Sequence, residues 1–228
     1  MYFLIDEQNK IIFGWSAKCG CSLIKKIFWF LINGNENNQI HTDKDYNNLP
    51  DDITNYTTIL IIRNPYERII SGFLDKYNSE RGPLRKLWKH DDITFSTFVD
   101  ELIKNDWIMI DKHHFTQQTT EFFDKNKILK SKSLKIYDIK NIDYKYIETL
   151  YNKKISEYVL NYKMGHERQK YNDTFDINVF DLDMDIYYNY NVPIKNFYNQ
   201  EIKNKVYEFY KNDFLFFKEY GFNYDVII

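Results

Sequence analysis

A chain of 228 residues with 43% hydrophobic content is long enough for one domain with a full core and too apolar to be disordered. Its 31 basic and 33 acidic residues leave a net charge of −2, which argues against a general nucleic-acid binder while leaving room for a local anion site. Cys19 and Cys21 are the only cysteines and stand one residue apart, so they neither staple distant segments nor complete a structural zinc site.

Ile11-Ile12-Phe13 reads as a buried strand, and Gly14 to Ser22 as the turn behind it. From Cys21 to Ile32, Leu23, Ile24, Ile27, Phe28 and Leu31 keep helical spacing, and Asn33-Gly34-Asn35 stops the helix. The run Ile24 to Ile32 contains Lys25 and Lys26 and is too short to span a bilayer; with no signal segment before it, the chain reads as soluble, and cytoplasmic by default. A polar stretch then runs to Tyr56, interrupted by Gln39-Ile40-His41, a candidate short strand. Thr57 to Ile62 predicts a buried strand from its β-branched run.

Pro65 sits where a helix begins, and Ile70, Phe73, Leu74 and Tyr77 line one face of it. Arg81 to Asp92 is charged and irregular, and its Arg81, Arg85, Lys86 and Lys89 read as a solvated charge run rather than glycan contacts. Helical periodicity returns at Phe95 to Ile103. Leu134 to Tyr137 is a third strand, Tyr144 to Tyr151 a helix, and Lys163 to Thr174 a loop. One aromatic helix from Gln200 to Phe217 closes the chain through Val206, Phe209, Tyr210, Phe214 and Phe217. Neither repeats nor linkers are visible. Strands separated by helices predict a single α/β domain over residues 1–228, with a central parallel sheet flanked by helices.

Two stretches carry the chemistry. Ala17-Lys18-Cys19-Gly20-Cys21-Ser22 places a lysine, a glycine and a hydroxyl at a strand-to-helix turn, where unpartnered backbone N–H groups and the helix dipole favour an anion. The lysine precedes the glycine, which does not fit the Walker A order of an ATPase or kinase loop. Taken alone, this loop reads equally as a plain turn with a solvated lysine. Arg63-Asn64-Pro65-Tyr66-Glu67-Arg68-Ile69-Ile70-Ser71 follows the Thr57–Ile62 strand, where ligands collect at the carboxyl ends of parallel strands. The Arg63 guanidinium suits a phosphate, with Ser71 two helical turns behind it, whereas Arg68 reads as a salt-bridge partner of Glu67 or a neighbour. Together the two stretches form a divided site for two phosphate-like groups.

The pair resembles the two nucleotide-binding signatures of sulfotransferases that use 3′-phosphoadenosine 5′-phosphosulfate (PAPS). It is most similar to the Golgi carbohydrate sulfotransferases, the chondroitin and dermatan enzymes and, more distantly, the heparan and uronyl 2-O-sulfotransferases. There a Pro-Lys-x-Gly-Cys-Ser-like loop holds the 5′-phosphosulfate, and an Arg-(Asp/Glu)-Pro-Phe-Glu-Arg-Leu-(Val/Ile)-Ser-Ala-like segment holds the 3′-phosphate. Ala17 replaces the usual proline, and Asn64 stands where an acid is common; neither is a contact residue. Gly72-Phe73-Leu74-Asp75-Lys76, Asp91 to Leu102, His114-Phe115-Thr116-Gln117-Gln118 (a His-Trp-x-x-Gln-like segment) and Tyr207 to Phe217 extend the likeness in the same order.

The resemblance implies a P-loop-like sulfotransferase fold and metal-free, in-line transfer of a sulfuryl group from PAPS to a hydroxyl of a glycan or similar acceptor. It implies Lys18, Cys19, Gly20, Cys21, Ser22, Arg63 and Ser71 as donor contacts, with Lys18 also neutralising the leaving phosphate. Arg168 and Lys170, in a late loop with His166, join them. His41 is the first choice of general base, resembling the histidine assigned that role in the 2-O-sulfotransferase branch, and His114 is the second. His113 reads as solvated, and Asp111, His113 and His114 lack the spacing of a metal-ligand set. Relatives carry an amino-terminal membrane anchor that this sequence does not display. Two rivals stand beside this reading: a nucleotide kinase of related fold, and a non-catalytic homologue that binds nucleotide or glycan.

Overall fold

A computed structural model describes residues 1–34, 48–80, 82–104, 107–161 and 173–226. In chain order its regular elements are β1 (Tyr2–Asp6), β2 (Ile11–Trp15), α1 (Cys21–Asn33), β3 (Thr57–Ile62), α2 (Pro65–Lys76), α3 (Phe95–Ile103) and α4 (Lys112–Phe115). There follow α5 (Lys125–Ile128), β4 (Ser133–Asp138), α6 (Tyr144–Tyr151), α7 (Glu157–Leu160), α8 (Met184–Tyr187), α9 (Gln200–Phe209) and α10 (Lys211–Glu219). The chain divides into two compact units, each discontinuous in sequence: Met1–Arg63 with Gln118–Gly165, and Asn64–Gln117 with His166–Ile228. No described helix is long and apolar enough to cross a membrane.

The first unit holds an α/β sheet in the order β1-β2-β3-β4. Strands β2, β3 and β4 are parallel, with Phe13 beside Ile59 and Ile59 beside Lys135, as the strand–helix alternation predicts. β1 adds an antiparallel edge that the sequence reading does not include. The hairpin forms because the Asp6 carboxylate accepts from the backbone N–H groups of Gln8 (3.1 Å) and Asn9 (3.0 Å), turning the chain back after four residues. A connection that short permits only antiparallel pairing.

Helix α1 covers the sheet with Ile24, Ile27, Phe28 and Leu31, which share one core with Phe13, Ile59 and Ile61. Lys153 closes its far end, donating to the carbonyls of Phe30 (2.7 Å) and Leu31 (3.1 Å), where the helix dipole favours a cation. Lys25 is only 2% exposed, its ammonium 3.9 Å from the centre of the Trp15 ring, a cation–π contact that offsets part of its desolvation.

The second unit is helical, and its core is aromatic: Phe73, Tyr77, Phe95, Phe98, Phe115, Tyr198 and Tyr210 meet in one cluster. Two expectations change here. The closing helix is not continuous; α9 and α10 are separated at Tyr210, whose backbone leaves helical geometry at φ −99° and ψ 20°. Ile202, Val206, Tyr210, Phe214 and Phe217 keep helical spacing across that break, so periodicity alone reads one helix. Arg85 is not merely solvated: it makes a bidentate pair with Asp185 at 2.8 and 2.6 Å. Gln39 to His41, Arg81 and nearly all of the Lys163 to Thr174 loop lie outside the described residues.

Candidate functional site

β2 and β3 run parallel, so the segments leaving them emerge at the same edge of the sheet. After β2, the N–H of Cys19 bonds the carbonyl of Ser16 at 3.1 Å, closing a tight turn with Lys18 at its third position. That position has φ +66°, left-handed backbone that favours glycine and costs an L-residue about 1–2 kcal/mol. Gly20 follows at φ +70°, and a Cβ there would lie 2.3 Å from Cδ1 of Ile139. The conformation favours glycine, and any side chain there would have to displace the end of Ile139.

Helix α1 starts directly behind. No side chain caps it, and its first turn carries no acid. A helix begun in this way presents backbone N–H groups and partial positive charge to an anion, and the donor set fits a phosphate or sulfate. Ser22 is buried and Cys21 half-buried within that first turn.

Arg63 follows β3, half-buried, with one Nη donating to the carbonyl of Lys18 at 3.0 Å. Its backbone is held on both sides by one side chain. Gln118 Oε1 accepts the Arg63 N–H (3.0 Å), and Gln118 Nε2 donates to the Arg63 carbonyl (2.8 Å). The same Oε1 accepts the Cys19 thiol at 3.0 Å. Lys18, Cys19 and Arg63 therefore form one hydrogen-bonded group at the carboxyl edge of the parallel strands.

In the second unit, Asn64 caps α2 by accepting from the Tyr66 N–H at 3.0 Å, Pro65 occupies the first turn, and Ser71 is half-buried on the same helix. Asp111 caps α4, accepting from the His113 N–H at 2.9 Å. Its other oxygen accepts from His114 Nδ1. Burial pushes the Asp111 carboxyl up, but the hydrogen bond and charge of His114, with the His113 amide, outweigh burial and hold it below the usual carboxylate range.

The mount of His114 is rigid. Arg68, 1% exposed, donates to the carbonyls of Thr116 (2.7 Å) and His114 (3.0 Å), a bracing role where the sequence suggests an ion pair. Tyr210 donates to the Phe115 carbonyl at 2.7 Å, and Gln117 to that of Phe209 at 2.6 Å. At Gly72 of α2 a Cβ would stand 2.5 Å from the Phe115 ring, so glycine sets how closely α2 and α4 approach. His113 is half-buried, not solvated, and packs edge-on against His114 with ring centres 4.9 Å apart.

His41, His166, Arg168 and Lys170 lie outside the described residues. Two residues that sequence reasoning did not assign now stand out. Asp111 had a legible signal, an Asp at a helix start with a His three residues on. Gln118 had only its place at the end of the His-Trp-x-x-Gln-like segment, because its partners lie 55 and 99 residues away.

A family model described as "Sulfotransferase family" matches residues 1–221. No curated protein and no solved structure matches the chain.

Proposed function

The chain belongs to the sulfotransferase family, and on that footing we propose that it uses PAPS as donor and a glycan hydroxyl as acceptor. One observation carries the donor: at the carboxyl edge of the parallel strands, the Lys18 turn that leads into the uncapped start of α1 is hydrogen-bonded to Arg63, a set suited to two phosphate-like groups on one ligand. Lys18, Cys19, Gly20, Cys21 and Ser22 hold the 5′ end, and Arg63 the 3′-phosphate. The motif resemblance adds Ser71, Arg168 and Lys170. The same resemblance supports a carbohydrate acceptor.

PAPS supplies a sulfuryl group already bonded to a good leaving phosphate. The acceptor oxygen bonds to sulfur as the bond from sulfur to the 5′-phosphate oxygen breaks. The acceptor proton passes to a histidine, and adenosine 3′,5′-bisphosphate departs. Lys18 and the α1 amides neutralise the charge that grows on the leaving oxygen, and such interactions accelerate transfer because they strengthen in the transition state.

Incubation with sulfur-labelled PAPS and a panel of glycans, phenols and tyrosine peptides tests this reading. Label is expected on a glycan. Label on phenols alone would sink the carbohydrate assignment, and no label from PAPS on any acceptor would sink the donor.

Lys18 gives a sharper result. Lys18→Gly relieves the left-handed strain and is expected to leave thermal stability intact or raise it by about 1 kcal/mol. Its kcat should fall together with that of Lys18→Ala, by more than its affinity for adenosine 3′,5′-bisphosphate falls. A rise in KM with kcat kept would make Lys18 a ground-state anchor only.

A further inference from the structure

We propose that Gln118 is a positioning residue that couples the two ends of the donor site, a role that rests on the donor-binding reading above. The primary amide of Gln118 is fully buried and engages two segments at once. A backbone N–H only donates and a backbone carbonyl only accepts, so the two bonds to Arg63 fix which end of the amide is oxygen. With Oε1 so fixed, the Cys19 thiol is the donor in the third bond. Arg63 Nη then returns to the carbonyl of Lys18, the residue before Cys19.

The result is a closed circuit: Cys19 to Gln118, Gln118 to Arg63, Arg63 to Lys18, and Lys18 to Cys19 along the chain. The circuit contains the left-handed Lys18 backbone, a conformation that persists only where its surroundings over-determine it. Gln118 touches neither phosphate in this arrangement. It acts by fixing the backbone from which the Arg63 guanidinium extends, and by pinning the 5′ loop through Cys19. Removing it loosens both ends together.

Two readouts test this, one of which needs no nucleotide. In wild type the buried, hydrogen-bonded Cys19 is expected to alkylate slowly beside half-buried Cys21, scored by mass spectrometry. Gln118→Leu should speed Cys19 modification roughly five- to tenfold, the worth of one lost buried hydrogen bond. Calorimetry should show the preference for adenosine 3′,5′-bisphosphate over AMP falling about tenfold in Gln118→Leu, while the same change made in an Arg63→Ala background should cause no further fall. Should Gln118→Leu not fold, Gln118→Glu keeps the shape and both acceptor bonds but turns an oxygen toward the Arg63 carbonyl; the same loss of nucleotide preference is expected, with Cys19 modification little changed. Cys19→Ser, which keeps a donor to Gln118, should retain the nucleotide preference better than Cys19→Ala.

A Gln118 variant that keeps the wild-type preference overturns the proposal, whatever happens at Cys19. Additive losses with Arg63→Ala overturn it as well. If wild type itself shows no preference between the two nucleotides, the donor reading falls, and unchanged Cys19 alkylation in Gln118→Leu then removes the coupling separately.

Discussion

Arg63→Ala is expected to erase most of the preference for adenosine 3′,5′-bisphosphate over AMP. The two nucleotides differ only in the 3′-phosphate, so their affinity ratio isolates that contact from everything the 5′ loop does. A charge-assisted hydrogen bond to phosphate is worth about 1.5–3 kcal/mol, which sets the expected loss at roughly 10- to 150-fold. Because Arg63 also donates to the Lys18 carbonyl, AMP affinity should weaken slightly in the same variant. Arg63→Lys is expected to recover only part of the ratio, since an ammonium lacks the planar fork that bonds a phosphate and a carbonyl together. Calorimetric titration of the three proteins with both nucleotides decides it. An unchanged ratio in Arg63→Ala would move the 3′-phosphate to another cation.

The second large effect concerns the base. His114→Ala is expected to lower kcat by about 10²–10⁴ with nucleotide affinity kept, the usual worth of acid–base catalysis. The supporting observation is Asp111, whose carboxylate engages Nδ1 of His114 and orients the ring. The wild-type rate should rise with pH as the base loses its proton, and the variant should lose that limb. Asp111→Asn preserves the helix cap, because Asn caps as well as Asp, and is expected to lower kcat about tenfold or more through the lost charge. His41→Ala belongs in the same assay, since the motif resemblance places His41 first. Loss of rate there with His114→Ala active would transfer the role to His41 and leave sulfuryl transfer itself untouched.

How much of this was legible depends on how local each cause is. Thr57–Ile62, Phe95–Ile103 and Tyr144–Tyr151 match their sequence expectations to the residue, because the first is a continuous β-branched run and the other two are helical runs with a cap at the start. β1 is not among the sequence expectations although Tyr2 to Ile5 is apolar and Asp6 to Lys10 is polar, the pattern of a hairpin that ends in the Ile11–Phe13 strand. The break at Tyr210 leaves no trace, since the apolar spacing runs straight through it. In the site, the Lys18 turn and Arg63 are readable because their chemistry sits at strand ends. Gln118 is not, because only the folded sheet brings residues 19, 63 and 118 together.

The discontinuity of the two units bears on how the protein is made. The strands and helix that carry Lys18 and Arg63 gain Gln118 and β4 only after the intervening residues 64–117 have been synthesised. The segment around His114 waits longer: Tyr210, which donates to the Phe115 carbonyl, lies 95 residues beyond it, and Phe209, whose carbonyl accepts from Gln117, lies 92 beyond Gln117. At about 5–20 residues per second on the ribosome, the His114 segment emerges roughly 5–20 s before the helices that brace it. For that interval Phe115 and its aromatic neighbours have no finished core to enter, and nascent chains are exposed to mispairing and to chaperones. Neither unit is a continuous stretch of sequence, so neither can be released whole by a single cut, and the two cores mature in the order in which their second halves leave the ribosome.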